Sequence, residues 1–149
     1  TGDSVTSFEY LSEHSLRLLL DTRKELRRPL NAIHDHYILC EVSTTIPGFD
    51  LNSAFEAVVT QAFENGQVVD GTIAANEAQR AALWELRESL PEGESLNGGS
   101  VKHDVAVRVS RVPEFISAAS DCVMQIDPSL RLSIYGHVGD GNIHFRARP

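Results

Sequence analysis

Two histidines on either side of a glycine-rich bend, His137 and His144, are the residues best placed in this 149-residue chain to do chemistry. Between them runs Val138-Gly139-Asp140-Gly141-Asn142-Ile143. Arg131-Leu132-Ser133-Ile134 before the bend and Ile143-His144-Phe145-Arg146 after it alternate polar and apolar residues, as half-buried strands do. Asp140-Gly141 is a strong signal for a hairpin turn. A two-residue turn there, or a four-residue loop from Gly139 to Asn142, places His137 opposite His144. Directly opposed residues have Cβ atoms about 4.5–5.5 Å apart, close enough for two neutral imidazoles to share one metal ion. The same residues also suit a plain hairpin, with two histidines near a sheet end and Asp140 bonded to its own backbone. Glycines at 136, 139 and 141 ask for more, because each weakens a strand; they suggest a close approach to the backbone. N–H groups in such a bend can face an anion or a cofactor edge.

A second set is cationic. Arg87 lies in Leu83-Trp84-Glu85-Leu86-Arg87-Glu88, on a helical pattern, and Lys102 enters the alternating run Val101-Lys102-His103-Asp104-Val105-Ala106-Val107. A guanidinium fork and a point-like ammonium together suit a carboxylate. The plainer alternative is an amphipathic helix face on which Arg87 pairs with Glu88 or nearby acids.

The elements that must position these groups follow from periodicity. Phe8, Leu11, Leu16 and Leu19 fit a helix over residues 7–23, capped by Ser4, Thr6 or Ser7 and stopped by Pro29. Arg23, Lys24, Arg27 and Arg28 crowd its end, where they suit the helix dipole, and Glu13-His14 reads as a surface dipeptide. Residues 37–42 read as a covered strand, closed by Pro47-Gly48. Ala54, Phe55, Val58, Val59, Ala62 and Phe63 stripe a helix over 51–65, with Gly66 as its cap. A short strand is expected over 68–73. A helix over 75–90 turns Ala78, Leu83, Leu86 and Leu90 to the core, and a polar loop follows over 93–100. The last helix starts at Val112-Pro113-Glu114, with Phe115, Ile116, Ala119, Val123 and Ile126 inward and Pro128 ending it. This order predicts one α+β domain over 1–149: a ferredoxin-like antiparallel sheet, covered on one side by helices and ending in a hairpin.

Composition bounds the function. With 42% hydrophobic and 23% charged residues the chain is an ordinary globular one. A net charge of −8 argues against a nucleic-acid partner and requires a local cationic cluster or a metal for any anionic substrate. Cys40 and Cys122 have no metal-ligand spacing and read as free, buried thiols of a reducing, cytoplasmic setting. No apolar run is long enough for a transmembrane helix.

His137-Val138-Gly139-Asp140-Gly141-Asn142-Ile143-His144 resembles the signature of FAD-linked oxidases of the vanillyl-alcohol oxidase type. Within them it is most similar to the D-2-hydroxyacid dehydrogenases, which act on lactate, glycolate or 2-hydroxyglutarate. Leu83-Trp84-Glu85-Leu86-Arg87-Glu88 resembles that branch's Trp-x-x-Arg-Glu helix, and Lys102-His103-Asp104-Val105 its Lys-x-Asp-Val segment. The resemblance implies that His137 and His144 bind a divalent metal, commonly zinc, and that Arg87 and Lys102 hold the substrate carboxylate. It implies that Gly139, Gly141 and Asn142 let the backbone approach flavin or substrate. It further implies that, in the whole enzyme, a base takes the hydroxyl proton while hydride passes to FAD and electrons go on to an electron acceptor.

The same resemblance casts the chain as the substrate-binding cap of a longer flavoenzyme, inactive and colourless alone. It puts the FAD-binding domain before this region and a metal-binding glutamate with the catalytic base beyond Pro149. Three departures lie near the presumed substrate. Ala106-Val107-Arg108 stands for Ser-Val-Pro, Pro91 for a threonine, and Arg146 for an asparagine. The rival readings are a stand-alone metal- or ligand-binding α+β module without redox activity, and a structural interaction domain.

Overall fold

A computed structural model describes residues 4–149. Strand β1 (Val5–Ser12) leads into helix α1 (Glu13–Thr22), and β2 (His36–Val42) returns beside β1. Helices α2 (Leu51–Glu64), α3 (Glu77–Glu88) and α4 (Leu90–Leu96) follow. Then come β3 (Val101–Ala106), a 3-10 turn (Val109–Arg111), α5 (Val112–Ile126), β4 (Arg131–His137) and β5 (Asn142–Arg148). The five strands form one antiparallel sheet in the order β2-β1-β4-β5-β3, the expected α+β class.

Two cores sandwich this sheet. Leu11, Tyr37 and Tyr135 on one face meet Leu16 and Leu19 of α1, Leu86 of α3 and Leu90 of α4. Tyr10, Ile134, Ile143 and Phe145 on the other meet Val112, Phe115, Ile116, Ala119 and Val123 of α5. Helices therefore cover both faces, not one as expected, because alternation leaves apolar residues on both sides of β1 and β4.

The first expected helix splits. Residues 5–12 pair with β2 and β4, and Ser12 caps the helix by accepting from the Ser15 N–H. Phe8 and Leu11 fit helical spacing, but Phe8-Glu9-Tyr10-Leu11 also alternates faces, and pairing on both sides decides for strand. Glu13 is no surface residue, since its carboxylate accepts from Arg28 at 2.7 and 2.9 Å and from the Tyr37 hydroxyl at 2.9 Å.

Residues 68–73 form no strand. There Asp70 takes the Gly71 N–H and His34 instead of extending the chain. The expected loop over 93–100 begins as helix α4, which packs on α1 at Gly93, where an added Cβ would stand 2.9 Å from the Leu19 Cα. Ala78 is exposed, Ile126 is 79% exposed, and no residue of α2 is buried. Both cysteines are free, as expected, but Cys40 is half-buried and Cys122 exposed. Among the described residues no helix is long and apolar enough to cross a membrane.

Candidate functional site

The register of the sheet assembles the site. One cross-sheet row reads Ala106, Asn142, His137, Glu9, and the next reads Asp104, His144, Tyr135, Leu11. All eight side chains project to the face covered by α1, α3 and α4, because the rows are two residues apart. Lys102, opposite Arg146, lies one row further along on the same face and is exposed at the sheet edge.

The hairpin register differs from the sequence expectation. His137 pairs with Asn142, and His144 pairs with Tyr135, because the loop is Val138–Gly141 rather than Gly139–Asn142. A shift of two residues preserves the face, so the imidazoles are diagonal neighbours instead of directly opposed. Their ring centroids are 5.7 Å apart and nearly perpendicular. Asp140 accepts from the Asn142 N–H at 3.0 Å, the ordinary turn role.

Two of the three glycines answer to the chain's own backbone. A Cβ on Gly141, whose φ is +79°, would stand 1.9 Å from the Val107 carbonyl oxygen. One on Gly136 would stand 2.3 Å from that of Asn142. Gly139 is exposed, with only Phe8 nearby.

Each imidazole has a carboxylate at Nδ1. His137 Nδ1 lies 3.0 and 2.9 Å from the two oxygens of Glu9, and His144 Nδ1 lies 2.6 Å from Asp104 Oδ1. Both partners are directly opposed across adjacent strands, which is why a hydrogen bond spans them. Burial pushes the Glu9 carboxyl up, but hydrogen bonds from His137 and Ser7 and the Arg87 charge outweigh it and hold it below its ordinary value. The Asp104 carboxyl is held low chiefly by its bond to His144, helped by Arg146.

Arg87 comes down onto this face from the last turn of α3. Its Nε donates to Glu9 Oε2 at 2.8 Å, with side chains only 7% and 5% exposed, and its Cζ lies 5.3 Å from the Tyr135 ring centroid. The pairing is thus with a strand acid, not with Glu88 on its own helix. Beside it, Arg146 reaches Asp104 at 3.0 Å, while its Nε faces Glu94 at 3.8 Å. The Tyr135 hydroxyl donates to Glu94 at 3.4 Å. Around these groups, Arg87 Nη2, Glu94 Oε1, Asn142 Oδ1 and Arg146 Nε are buried without hydrogen-bond partners. Native interiors rarely leave such atoms unpaired, so a cluster on one face is what a polar ligand site presents.

Of the residues expected from the sequence, the structure brings Arg87, His137, His144 and Asn142 together on this face and places Lys102 at its rim. Sequence reasoning singled out none of Glu9, Glu94 and Tyr135, and met Arg146 only as a departure from a pattern. The available signal was an acid at an inward position of an alternating run, Ser7-Phe8-Glu9-Tyr10-Leu11, hidden while that run was read as helix.

Comparisons with known proteins place the chain in a family. The family model described as FAD linked oxidases, C-terminal domain, matches residues 2–147. A D-2-hydroxyglutarate dehydrogenase of Xanthomonas citri pv. viticola is 32% identical over 94% of this chain and 29% of its own length. The mitochondrial D-2-hydroxyglutarate dehydrogenase of Arabidopsis thaliana is 29% identical over 96% of this chain and 25% of its own length. A D-2-hydroxyglutarate–pyruvate transhydrogenase of Saccharomyces cerevisiae is 28% identical over 96% of this chain and 30% of its own length. The chain thus spans between a quarter and a third of the length of these relatives. With its arginine helix and both histidines of its hairpin inside the matched region, this chain belongs to the FAD-linked oxidases as their C-terminal domain.

Proposed function

We propose that this chain forms the substrate- and metal-binding face of an FAD-dependent dehydrogenase that oxidises a small D-2-hydroxy acid. The observation that carries the reading is the convergence of Arg87, His137 and His144 on one face, each held from behind by a carboxylate. Arg87 keeps guanidinium N–H groups beyond the one given to Glu9, enough to fork a substrate carboxylate. Lys102 adds a point charge at the rim. In a chain of net charge −8 these cations mark where an anion is accepted.

The donor chemistry fits a divalent cation, zinc first. With Nδ1 of both imidazoles on carboxylates, Nε2 of His137 and His144 is the nitrogen left to ligate, the arrangement usual around metal-binding histidines. Among the described residues no group of three or more His, Cys, Asp or Glu is placed to hold a metal, so a further ligand is needed for tight binding. When bound, such a metal would supply Lewis acidity and orientation at the substrate hydroxyl, and FAD would supply the hydride acceptor. Asn142, with its unpartnered amide oxygen, and the exposed backbone at Gly139 are the loop groups turned toward flavin or substrate. Gly141 serves the turn itself.

The relatives' names make D-2-hydroxyglutarate the first acid to try, with D-lactate and glycolate beside it. A cytoplasmic setting stays part of the proposal, next to relatives whose names place them in mitochondria. The natural full-length protein should lose its oxidised flavin absorbance on anaerobic addition of one of these acids. Arg87→Ala should lower kcat/KM by on the order of 10²–10³, and Arg87→Lys by less but still about tenfold. Unchanged kcat/KM in both variants for every acid tried would leave Arg87 as a structural partner of Glu9 alone.

A further inference from the structure

Glu9 stands where the two halves of the site meet. It is opposite His137 on β1, beneath Arg87 of α3, and its side chain is 5% exposed. Oε2 accepts from Arg87 Nε at 2.8 Å and lies 2.9 Å from His137 Nδ1. Oε1 lies 3.0 Å from the same Nδ1 and accepts from the Ser7 hydroxyl at 2.9 Å. One carboxylate therefore binds a strand histidine and a helix arginine that are 50 residues apart in the chain, as 137 and 87.

We propose that Glu9 is a positioning residue shared by the substrate and metal halves of the site. The inference rests on the reading of Arg87 and His137 given above. Taking Arg87 by Nε fixes the plane of the guanidinium and leaves its two terminal nitrogens, of which Nη2 is buried and unpartnered, as the fork. Holding His137 by Nδ1 makes that nitrogen the proton donor and leaves the lone pair on Nε2. Neither orientation follows from the backbone alone. An arginine samples many rotamers, and an imidazole can flip or change tautomer.

The carboxylate is suited to both tasks at once because its oxygens accept only. Glutamine has the same shape but a single accepting oxygen, and its NH₂ would confront one of the two N–H groups. Aspartate is one methylene too short to keep both distances. Ser7, whose hydroxyl donates to Glu9 Oε1 and reaches neither Arg87 nor His137 by a hydrogen bond of its own, serves as a control position.

The test uses the natural full-length protein with its flavin, after the metal has been stripped. Zinc affinity is measured by competition with a chromophoric chelator. Carboxylate affinity is measured from the flavin difference spectrum with glutarate, which lacks the reacting hydroxyl. Glu9→Gln should weaken zinc by 10–100-fold, as loss of an outer-sphere partner does, and glutarate by about tenfold. Ser7→Ala should leave both within about twofold.

If Glu9→Gln folds and shifts neither affinity, or only one of them, the shared role is overturned. Should that variant not fold, nitrogen-15 NMR of histidine in the unmutated, metal-free protein decides. The Nδ1–H tautomer of His137 supports the role, and the Nε2–H tautomer overturns it. An unmutated protein that binds neither zinc nor glutarate would remove the underlying reading together with this one. Normal binding with an indifferent Glu9→Gln would remove this one alone.

Discussion

A buried carboxylate is costly unless charge and hydrogen bonds meet it, and Glu9 is met by Arg87, His137 and Ser7. Removing one partner leaves an uncompensated charge. Arg87→Ala should therefore destabilise the fold by roughly 3–5 kcal/mol, the range for broken buried pairs. Urea unfolding checks this, and a loss under about 1 kcal/mol would mean that Glu9 finds water instead. Tyr10 gives a second prediction. Burial, helped by the Asp35 charge, pushes its hydroxyl from 10.0 up to about 12. Below pH 10 both folded and unfolded chains keep that proton; between 10 and 12 only the unfolded chain releases it. The contribution is thus complete below pH 10 and is lost as pH rises through 12, a loss of about 2–3 kcal/mol. Tyr10→Phe should flatten that part of the stability–pH curve, and an unchanged slope would assign it to other groups.

At the scale of elements, glycines mark where two pieces of backbone come close. Gly66 and Gly141 share a positive φ, +69° and +79°, yet nothing lies within 4 Å of a Cβ on Gly66. Gly66→Ala should cost about 1–2 kcal/mol, the left-handed backbone penalty alone. Gly141→Ala should cost that plus about 1–3 kcal/mol of overpacking against the Val107 carbonyl, and should loosen the hairpin beneath Asn142. Equal losses in the two variants would show that the turn can slide away from Val107. Hydrogen exchange at the Val107 N–H, bonded to the Gly141 oxygen at 3.0 Å, reads the same contact directly.

On the scale of the molecule, stability resides in the two cores against the sheet. Leu16 is almost fully buried, and Leu16→Ala should cost about 2–5 kcal/mol. Helix α2 carries a strong apolar stripe, but Val58 is 61% exposed and no α2 residue is buried. Val58→Asp should shift the urea midpoint by less than about 0.5 kcal/mol equivalent. A large loss there would show that α2 packs in solution against this domain.

Much was decided locally and was legible in the residues themselves. The helices over Leu51–Glu64 and Val112–Ile126, the strands His36–Val42 and Val101–Ala106, and the hairpin carry their periodicity, caps and turn residues in the chain. The types that make up the site, two histidines near a glycine bend, an arginine on a helix and a lysine entering a strand, were visible for the same reason. What the sequence left open was every choice between two local patterns that only a neighbour could settle. Phe8 and Leu11 fit a helix until β2 and β4 pair with β1, and Gly93-Glu94 reads as loop until α1 offers Leu19 to pack against. The hairpin register awaited the Val107 carbonyl that fills the space over Gly141. Glu9 became a site residue only through contacts with positions 87 and 137, because a buried charge is explained by what surrounds it and not by what precedes it in the chain.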